Sequence, residues 1–479
     1  MKNKGHTLHP ATLYFLLTVL IIFASWILDV YGLSYVVAGT GETVSIRSLL
    51  SPGGIRWLLR HFVTNFTGFA PLGMVLVAML GVGTAYYSGF LEAVVRAMSK
   101  YISQRGVLWA IILIGVLSNV IGDSGYIVLI PIASLLCKSV GIHPIVGVIV
   151  AFVSVACGYS AHVVMSTMDP MMARITADAA ASCGADSTGI GVLSNWLFMG
   201  VSTIPVAVTI YAVTRWWLMR KVGGYEAPVL EPLSRKEKKA LWGALQTGVV
   251  YLALILVATF SGYGILRGVS GNLMRSPFIF GILFILSMGF WLMGFVYGLT
   301  TGSLRSDRSL IQIMVKSVRF AAPFIVIAFF AAQMFACFEY SHLDRYIVTS
   351  IANLGTGWNL GALPQLLLFV VLVAVANLFM VSATTKWGIM AYTFIPLFSA
   401  LGVAPEFVQC AFRVGDSLTN AITPFMFYMP LLYIYLEKYK MNVSFFTISR
   451  YTWLYTVSLG IVWILFLTLW FLCGLSTGI

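Results

Sequence analysis

Apolar residues run in long blocks along this chain and are not scattered among polar ones. Blocks at 13–33, 70–90, 243–260, 278–299 and 458–472 each approach or exceed the roughly 20 residues that cross a bilayer as a helix. Reading every block to its polar edges predicts crossings at 13–33, 70–90, 144–169, 192–214, 243–260, 278–299, 321–338, 405–433 and 451–473.

Two places break this pattern. The blocks 106–117 and 126–137 are too short to cross singly. They flank Ser118-Asn119-Val120-Ile121-Gly122-Asp123-Ser124-Gly125. The blocks 363–381 and 387–401 are joined by Ser382-Ala383-Thr384-Thr385-Lys386. Both predict re-entrant hairpins with polar tips at membrane depth, where irregular backbone needs protein or a water-filled cavity around it.

Each hairpin is followed by an apolar segment with a polar interruption. The first holds Gly158-Tyr159-Ser160-Ala161-His162 and then Ser166-Thr167-Met168-Asp169-Pro170. The second holds Arg413-Val414-Gly415-Asp416-Ser417-Leu418-Thr419-Asn420 and then Thr423-Pro424. The order of hairpin, short loop (His143-Pro144 or Ala404-Pro405) and broken helix therefore occurs twice. An odd number of crossings lies between the copies, which predicts an inverted repeat with a binding site at the bilayer midplane. The expected fold is an all-α integral membrane protein of about nine transmembrane helices and two re-entrant helical hairpins.

The chain divides accordingly. Residues 1–105 hold N-terminal spans and an external amphipathic segment, and 106–214 the first hairpin and broken helix. A basic linker with Pro228 and Pro232 occupies 215–242, scaffold spans 243–340, the second hairpin and broken helix 341–436, and a last span 437–479. The external segment, 34–66, carries Arg56 and Arg60 among apolar residues and is expected to lie along the interface. The first apolar block lacks a small-residue cleavage site and is expected to remain as a span.

Composition agrees. The 479 residues are 59% hydrophobic and 9% charged, too few charges to clothe a soluble domain. The net charge of +13 forms no basic face, so nucleic acid is not an expected partner. Of the 29 lysines and arginines, 20 fall on one side of the nine-span layout, Lys2, Lys4, Lys100 and Lys440 among them. Seven, including Arg275, fall on the other. The positive-inside rule then places the N-terminus in the cytoplasm of a bacterial inner membrane. Six cysteines show neither zinc nor disulfide spacing.

The remaining cations, Lys386 and Arg413, lie inside apolar territory with Asp123, Asp169 and Asp416. An ionisable group at a helix centre costs about 2.5–3.5 kcal/mol on insertion scales, so such groups mark pathways. Asp416 stands in a Gly- and hydroxyl-rich break suited to an unwound helix. Its plainer reading is an Arg413–Asp416 ion pair at i, i+3. Asp169 is either a helix-end carboxylate in solvent or a proton-titrating gate. Asp123 either titrates or bonds turn amides. Asn119 and Asn377, near the tips, either bind or tie helices together. Trp387, beside Lys386, is placed to stack on an aromatic ligand. No His-Glu-x-x-His, phosphate loop or Gly-x-Ser-x-Gly is present. No catalytic residues or cofactor are expected, and the absence of a nucleotide-binding domain leaves an ion gradient, H+ or Na+, as the energy source.

At these residues the chain resembles the AbgT family. Asn65-Phe66-Thr67-Gly68-Phe69-Ala70-Pro71-Leu72-Gly73, Ser118-Asn119 with Asp123 and Gly125-Tyr126, Gly158-Tyr159-Ser160-Ala161, Asp169-Pro170, Ser276-Pro277-Phe278, Lys386-Trp387 and Arg413-Val414-Gly415-Asp416-Ser417 follow in the family's order. The resemblance covers nearly all of the chain. It implies a homodimer with nine spans and two hairpins per protomer. It also implies import of p-aminobenzoyl-glutamate, a folate breakdown product, or export of sulfonamide antimetabolites. It carries functional roles onto Asp169, Asn377, Trp387, Pro405, Arg413 and Asp416. Ser118, Asn119, Asp123, Ser160, His162, Lys386, Ser417, Thr419 and Asn420 complete the candidate pathway, with a sodium ion expected near Asn119 and Asp416.

The chain departs from the family at His162, where Asn is usual, at Tyr392, where Pro is usual, and at Thr384-Thr385, which replace smaller residues. Imidazole is a poorer hard-cation ligand than an amide oxygen, so His162 weighs against sodium in the first half and offers a titrating group instead. In the resulting mechanism Trp387 stacks on the substrate ring, Arg413 or Lys386 meets its anionic group, and Asp416 and Asp169 carry coupling protons or hold a cation. The alternatives are a di-aspartate intramembrane hydrolase built on Asp169 and Asp416 and a channel. Transport direction stays open.

Overall fold

The computed structural model describes residues 8–36, 41–98, 101–227, 231–262, 264–268, 276–358, 360–439 and 443–478. Lys2, Lys4, Lys100, Pro228, Arg275 and Lys440 lie outside the described residues.

The N-terminal scaffold opens with α1 (Pro10–Val30), whose first residue is a proline where no amide partner is needed. A two-stranded antiparallel hairpin of β1 (Ser34–Val36) and β2 (Thr43–Ser45) leads to α2 (Pro52–Thr67). The Ser51 hydroxyl caps α2 by accepting from the Gly54 amide at 3.0 Å. α3 (Ala70–Tyr87) and the short α4 (Phe90–Met98) follow.

The first hairpin is α5 (Gln104–Leu117), a 3-10 turn (Ser118–Ile121) and α6 (Ser124–Ser139). At 1.5 Å per residue these legs reach about 21–24 Å, short of a bilayer core of about 30 Å. Gly122 makes the turn with φ +63°, which a side chain would resist. α7 (Pro144–Cys157), α8 (Asp169–Ser182), α9 (Trp196–Val213), a π turn (Thr214–Leu218) and α10 (Met219–Val222) complete this half.

α11 (Arg235–Phe260) starts at a capping box in which Ser234 and Glu237 bond each other's amides. Then come α12 (Pro277–Phe280), α13 (Ile282–Thr301) and the long α14 (Asp307–Tyr340). The second half repeats the order of the first: α15 (Leu343–Leu354), a hairpin of α16 (Ala362–Asn377) and α17 (Ala383–Ala400), the broken pair α18 (Pro405–Leu418) and α19 (Met429–Lys438), and α20 (Phe445–Leu472).

The chain is thus nearly all-helical. Among the described residues seven helices are long and apolar enough to cross a bilayer. Their exposed faces carry Trp242, Val249, Leu254, Val257 and Phe260 on α11, an outward apolar surface that suits lipid. The scaffold helices α3, α11, α13 and α14 pack side by side. Small residues set the closest approach, since a Cβ on Gly294 would fall 2.6 Å from the Ala85 Cα. The broken helices sit deepest: every residue of α7, and all of α18 except Glu406, is buried.

The helix breaks are present and two expectations change. The segments 144–169 and 405–433 are interrupted, as their polar stretches predict. α7 stops at Cys157 and helix resumes at Asp169; α18 stops at Leu418 and helix resumes at Met429. Side chains supply partners for backbone freed by the breaks, so the helical ladder is dispensable there. Asp169 therefore opens a helix that runs on to Ser182 rather than closing a span. The second hairpin loop lies at 378–382, earlier than the polar run suggests. Ala383-Thr384-Thr385-Lys386-Trp387 contains no helix breaker, and it forms the first turns of α17.

Candidate functional site

The charged residues of the two halves meet in one buried cluster, joined crosswise. Arg413, in α18, does not pair with Asp416 one turn along. Its Nη1 lies 2.7 Å from Asp169 Oδ1, at the start of α8. Asp416 pairs with Lys386 instead, Oδ1 to Nζ at 2.6 Å. Adjacent turns of one helix thus hold a cation and an anion that are neutralised by different elements. The i, i+3 pair expected from spacing does not form, because each side chain finds a closer partner across the interior.

Asp169 is 3% exposed, which rules out the solvent-facing helix end. Its Oδ2 accepts from the Ser166 amide at 2.6 Å, fixing the loop before α8. His162 is 1% exposed and packs onto the same pair. Its Nε2 lies 2.8 Å from Arg413 Nη2 and 3.7 Å from Asp169 Oδ1. A guanidinium only donates, so this His162 Nε2 is the acceptor, and the ring proton sits on Nδ1.

Lys386 is fully buried, and three oxygens surround its ammonium: Asn377 Oδ1 at 2.5 Å, Met380 O at 2.9 Å and Asp416 Oδ1 at 2.6 Å. Two of these contacts are hydrogen bonds and the third is an ion pair. In this conformation Lys386 is engaged by protein oxygens alone.

The asparagines and hydroxyls knit the helix breaks. Asn377 Nδ2 donates to Thr419 Oγ1 and Asn420 Oδ1, at 3.1 and 2.8 Å. Asn420 Nδ2 reaches into the first half to the Ala156 carbonyl at 2.9 Å, and Thr419 Oγ1 donates to Ala374 O at 2.8 Å. Asn119 Nδ2 donates to Val116 O and Val155 O, at 3.2 and 3.1 Å. Freed carbonyls in both halves thereby find donors.

Ser118 and Ser417 are spent on their own helices, donating to Gly115 O and Arg413 O. Pro405 is buried and opens α18. Asp123 is half-buried and bonds the Tyr428 side chain, apart from the ion pairs.

Trp387 is fully buried, tilted against Phe412 with ring centroids 4.7 Å apart. Its Nε1 donates to Thr176 Oγ1 at 2.9 Å, and that hydroxyl lies 2.7 Å from Gln409 Oε1. In this conformation the ring is a packing group held between protein partners, not an open platform for a stacked ligand. Thr176 and Gln409 escape a reading of the sequence, although a signal for them exists. Thr176 lies seven positions after Asp169, and Gln409 four before Arg413, each on the face of the charged residue.

Asn119, Ser160, Arg413 and Asp416 line one cavity of about 10 Å³, room for about one water. Among the described residues no group of three or more His, Cys, Asp or Glu gathers for a metal. Beyond the second hairpin loop lies a larger hollow of about 250 Å³, lined by Phe335, Phe338, Phe425 and Phe427 with Glu339, Asp344 and Arg345. Met380, Ser382 and Thr385 face this hollow while Ala383 faces the small cavity, so the loop and the first turn of α17 together lie between them.

Comparison with known proteins agrees across the whole chain. The sequence model of the AbgT transporter family matches residues 2–479. The p-aminobenzoyl-glutamate transport protein of Escherichia coli K12 is 29% identical over 474 residues, covering 98% of this chain and 93% of that protein. The solved YdaH transporter of Alcanivorax borkumensis is 32% identical with a TM-score of 0.56, over 98% of this chain and all of that one. The MtrF structure of Neisseria gonorrhoeae, described as illuminating a class of antimetabolite efflux pumps, is 33% identical with a TM-score of 0.53, over 97% and 96%.

Proposed function

The chain belongs to the AbgT transporter family, and from that premise we propose that it is an ion-gradient-driven carrier of p-aminobenzoyl-glutamate-like folate catabolites, sulfonamide antimetabolites, or both. Family membership makes it a multi-pass membrane transporter rather than an enzyme. In this proposal it sits in a bacterial inner membrane as a homodimer, with a cytoplasmic N-terminus and two hairpin-and-broken-helix halves of opposite orientation.

The crossed ion pairs carry this reading. Arg413–Asp169 joins the broken helices of the two halves and Lys386–Asp416 joins the second hairpin to its broken helix, so neither pair lies between scaffold helices. A charge pair inside a membrane protein contributes little net stability but ties binding to conformation.

A substrate carboxylate or sulfonamide anion competes with Asp169 for the Arg413 guanidinium, whose planar fork suits an oxyanion. Protonating Asp169 removes the competitor, which links one proton to one substrate anion. His162, in reach of both, is the neighbouring proton carrier. Sodium is not required by this scheme.

The aromatic hollow by the second hairpin loop serves as the outer vestibule, its phenylalanines receiving the substrate ring. The loop at 378–382 then opens the wall to the small cavity. A hydrolase would need Asp169 and Asp416 to share a proton, whereas each has its own cation. A continuous channel is disfavoured by the closed centre.

The test is flux in proteoliposomes under imposed proton and sodium gradients, with p-aminobenzoyl-glutamate and a sulfonamide as substrates. Saturable, exchangeable flux that follows the proton gradient is expected, and Asp416→Ala should insert normally and transport neither substrate. Absence of flux under every gradient, or wild-type flux in Asp416→Ala, overturns the proposal.

A further inference from the structure

The oxygens around Lys386 have the form of a small-cation site. One is a side-chain amide at the end of α16, one a main-chain carbonyl from the hairpin loop, and one a carboxylate from α18. They converge on a single point at 2.5, 2.9 and 2.6 Å, in a position with no solvent exposure. Hard oxygens from three separate elements, with one negative charge among them, are what an alkali ion selects.

The amide is oriented for this. Asn377 Nδ2 is committed to Thr419 Oγ1 and Asn420 Oδ1. Thr419 Oγ1 spends its own proton on Ala374 O, and Asn420 Nδ2 is spent on Ala156 O. Both partners must therefore accept from Asn377, which turns Asn377 Oδ1 inward. The network is set to present an oxygen, and what receives that oxygen is the end of a lysine.

We propose that the second hairpin forms a cation site whose resident ion is the Lys386 ammonium, a tethered substitute for free sodium. The ammonium satisfies the site as a metal ion would, but it is bonded to α17 and cannot leave. The second half then carries no alkali ion through the cycle. Taking the ammonium away leaves Asp416 buried without a partner and converts the site into one that recruits sodium. The consequence for coupling rests on the carrier reading above; ion binding itself does not.

The experiment measures thermal unfolding of the purified full-length protein at alkaline pH in matched sodium, potassium and choline chlorides. For Lys386→Met, sodium should raise the midpoint saturably over choline, by a few degrees at about 100 mM, and by more than in the wild type. Adding Asp416→Asn to that variant should erase the gain. A Lys386→Met protein no more sodium-sensitive than the wild type overturns the proposal. Should Lys386→Met not fold, Asp416→Asn alone decides. The proposal requires the sodium-minus-choline difference of the wild type, whatever its size, to survive that change, and its loss would place free sodium at Asp416. These readouts involve no substrate, so a failure of transport and a failure of the tethered-ion proposal are separately visible.

Discussion

Arg413 of the second broken helix is bound to Asp169 of the first, Nη1 to Oδ1 at 2.7 Å, with both side chains buried. Either residue alone is an uncompensated charge in the interior. Asp169→Asn or Arg413→Met should each cost about 3–5 kcal/mol and abolish flux. The double variant Asp169→Asn with Arg413→Met should recover most of the lost thermal stability and none of the transport. Melting curves beside proteoliposome flux check both halves of this expectation.

Trp387 tests whether its ring is packing or a ligand platform in the closed state. Trp387→Ala should lose about 3–5 kcal/mol, as buried aromatics do. Trp387→Phe, which keeps most of the ring and loses the bond to Thr176, should lose about 1 kcal/mol. Thermal unfolding of the two variants separates these costs. Near-equal stability of Trp387→Ala and the wild type contradicts the packed placement.

The aromatic hollow should govern capture rather than translocation. Phe425→Ala removes one face of it and should raise KM about 5- to 10-fold, equivalent to the 1 kcal/mol or so of an aromatic contact. The maximal rate should change far less. Initial-rate flux over a range of substrate concentrations distinguishes the two, and an unchanged KM removes the hollow from the pathway.

Gly415 is required by a close approach. A Cβ there would lie 2.5 Å from the Val370 carbonyl oxygen of α16. Main chain, not a flexible side-chain tip, has to move. Gly415→Leu should destabilise by about 1–3 kcal/mol or more and slow transport by displacing Asp416, the next residue. Unfolding midpoint and flux measured on the same preparation test it.

Exchange of sodium for potassium on both sides of the vesicle should leave wild-type flux nearly intact, while collapse of the proton gradient should stop uphill accumulation. Loss of flux on sodium removal would contradict the proton scheme through Asp169 and His162.

Element order is largely legible in the amino-acid pattern. Long apolar blocks mark crossings, and the polar joints Ser118–Gly125 and Ser382–Lys386 mark hairpins, because the bilayer imposes a length and a polarity on every segment. Pro144 and Pro405 announce the starts of the two broken helices, since a proline at that position costs no amide bond. The loop of the second hairpin lies several residues ahead of the polar run at Lys386. Polar residues at a tip and polar residues buried in a first helical turn look alike in sequence.

Covalent order is enough to put five ionisable groups inside apolar territory, since their apolar neighbours are fixed beside them along the chain. Which charge neutralises which is a property of the packed molecule. Arg413 lies three residues from Asp416 yet binds Asp169, and Lys386 closes on Asp416 and Asn377, because Coulomb attraction acts through space. Proximity along a helix counts for less than the partner that the packed hairpins deliver into the same dry interior.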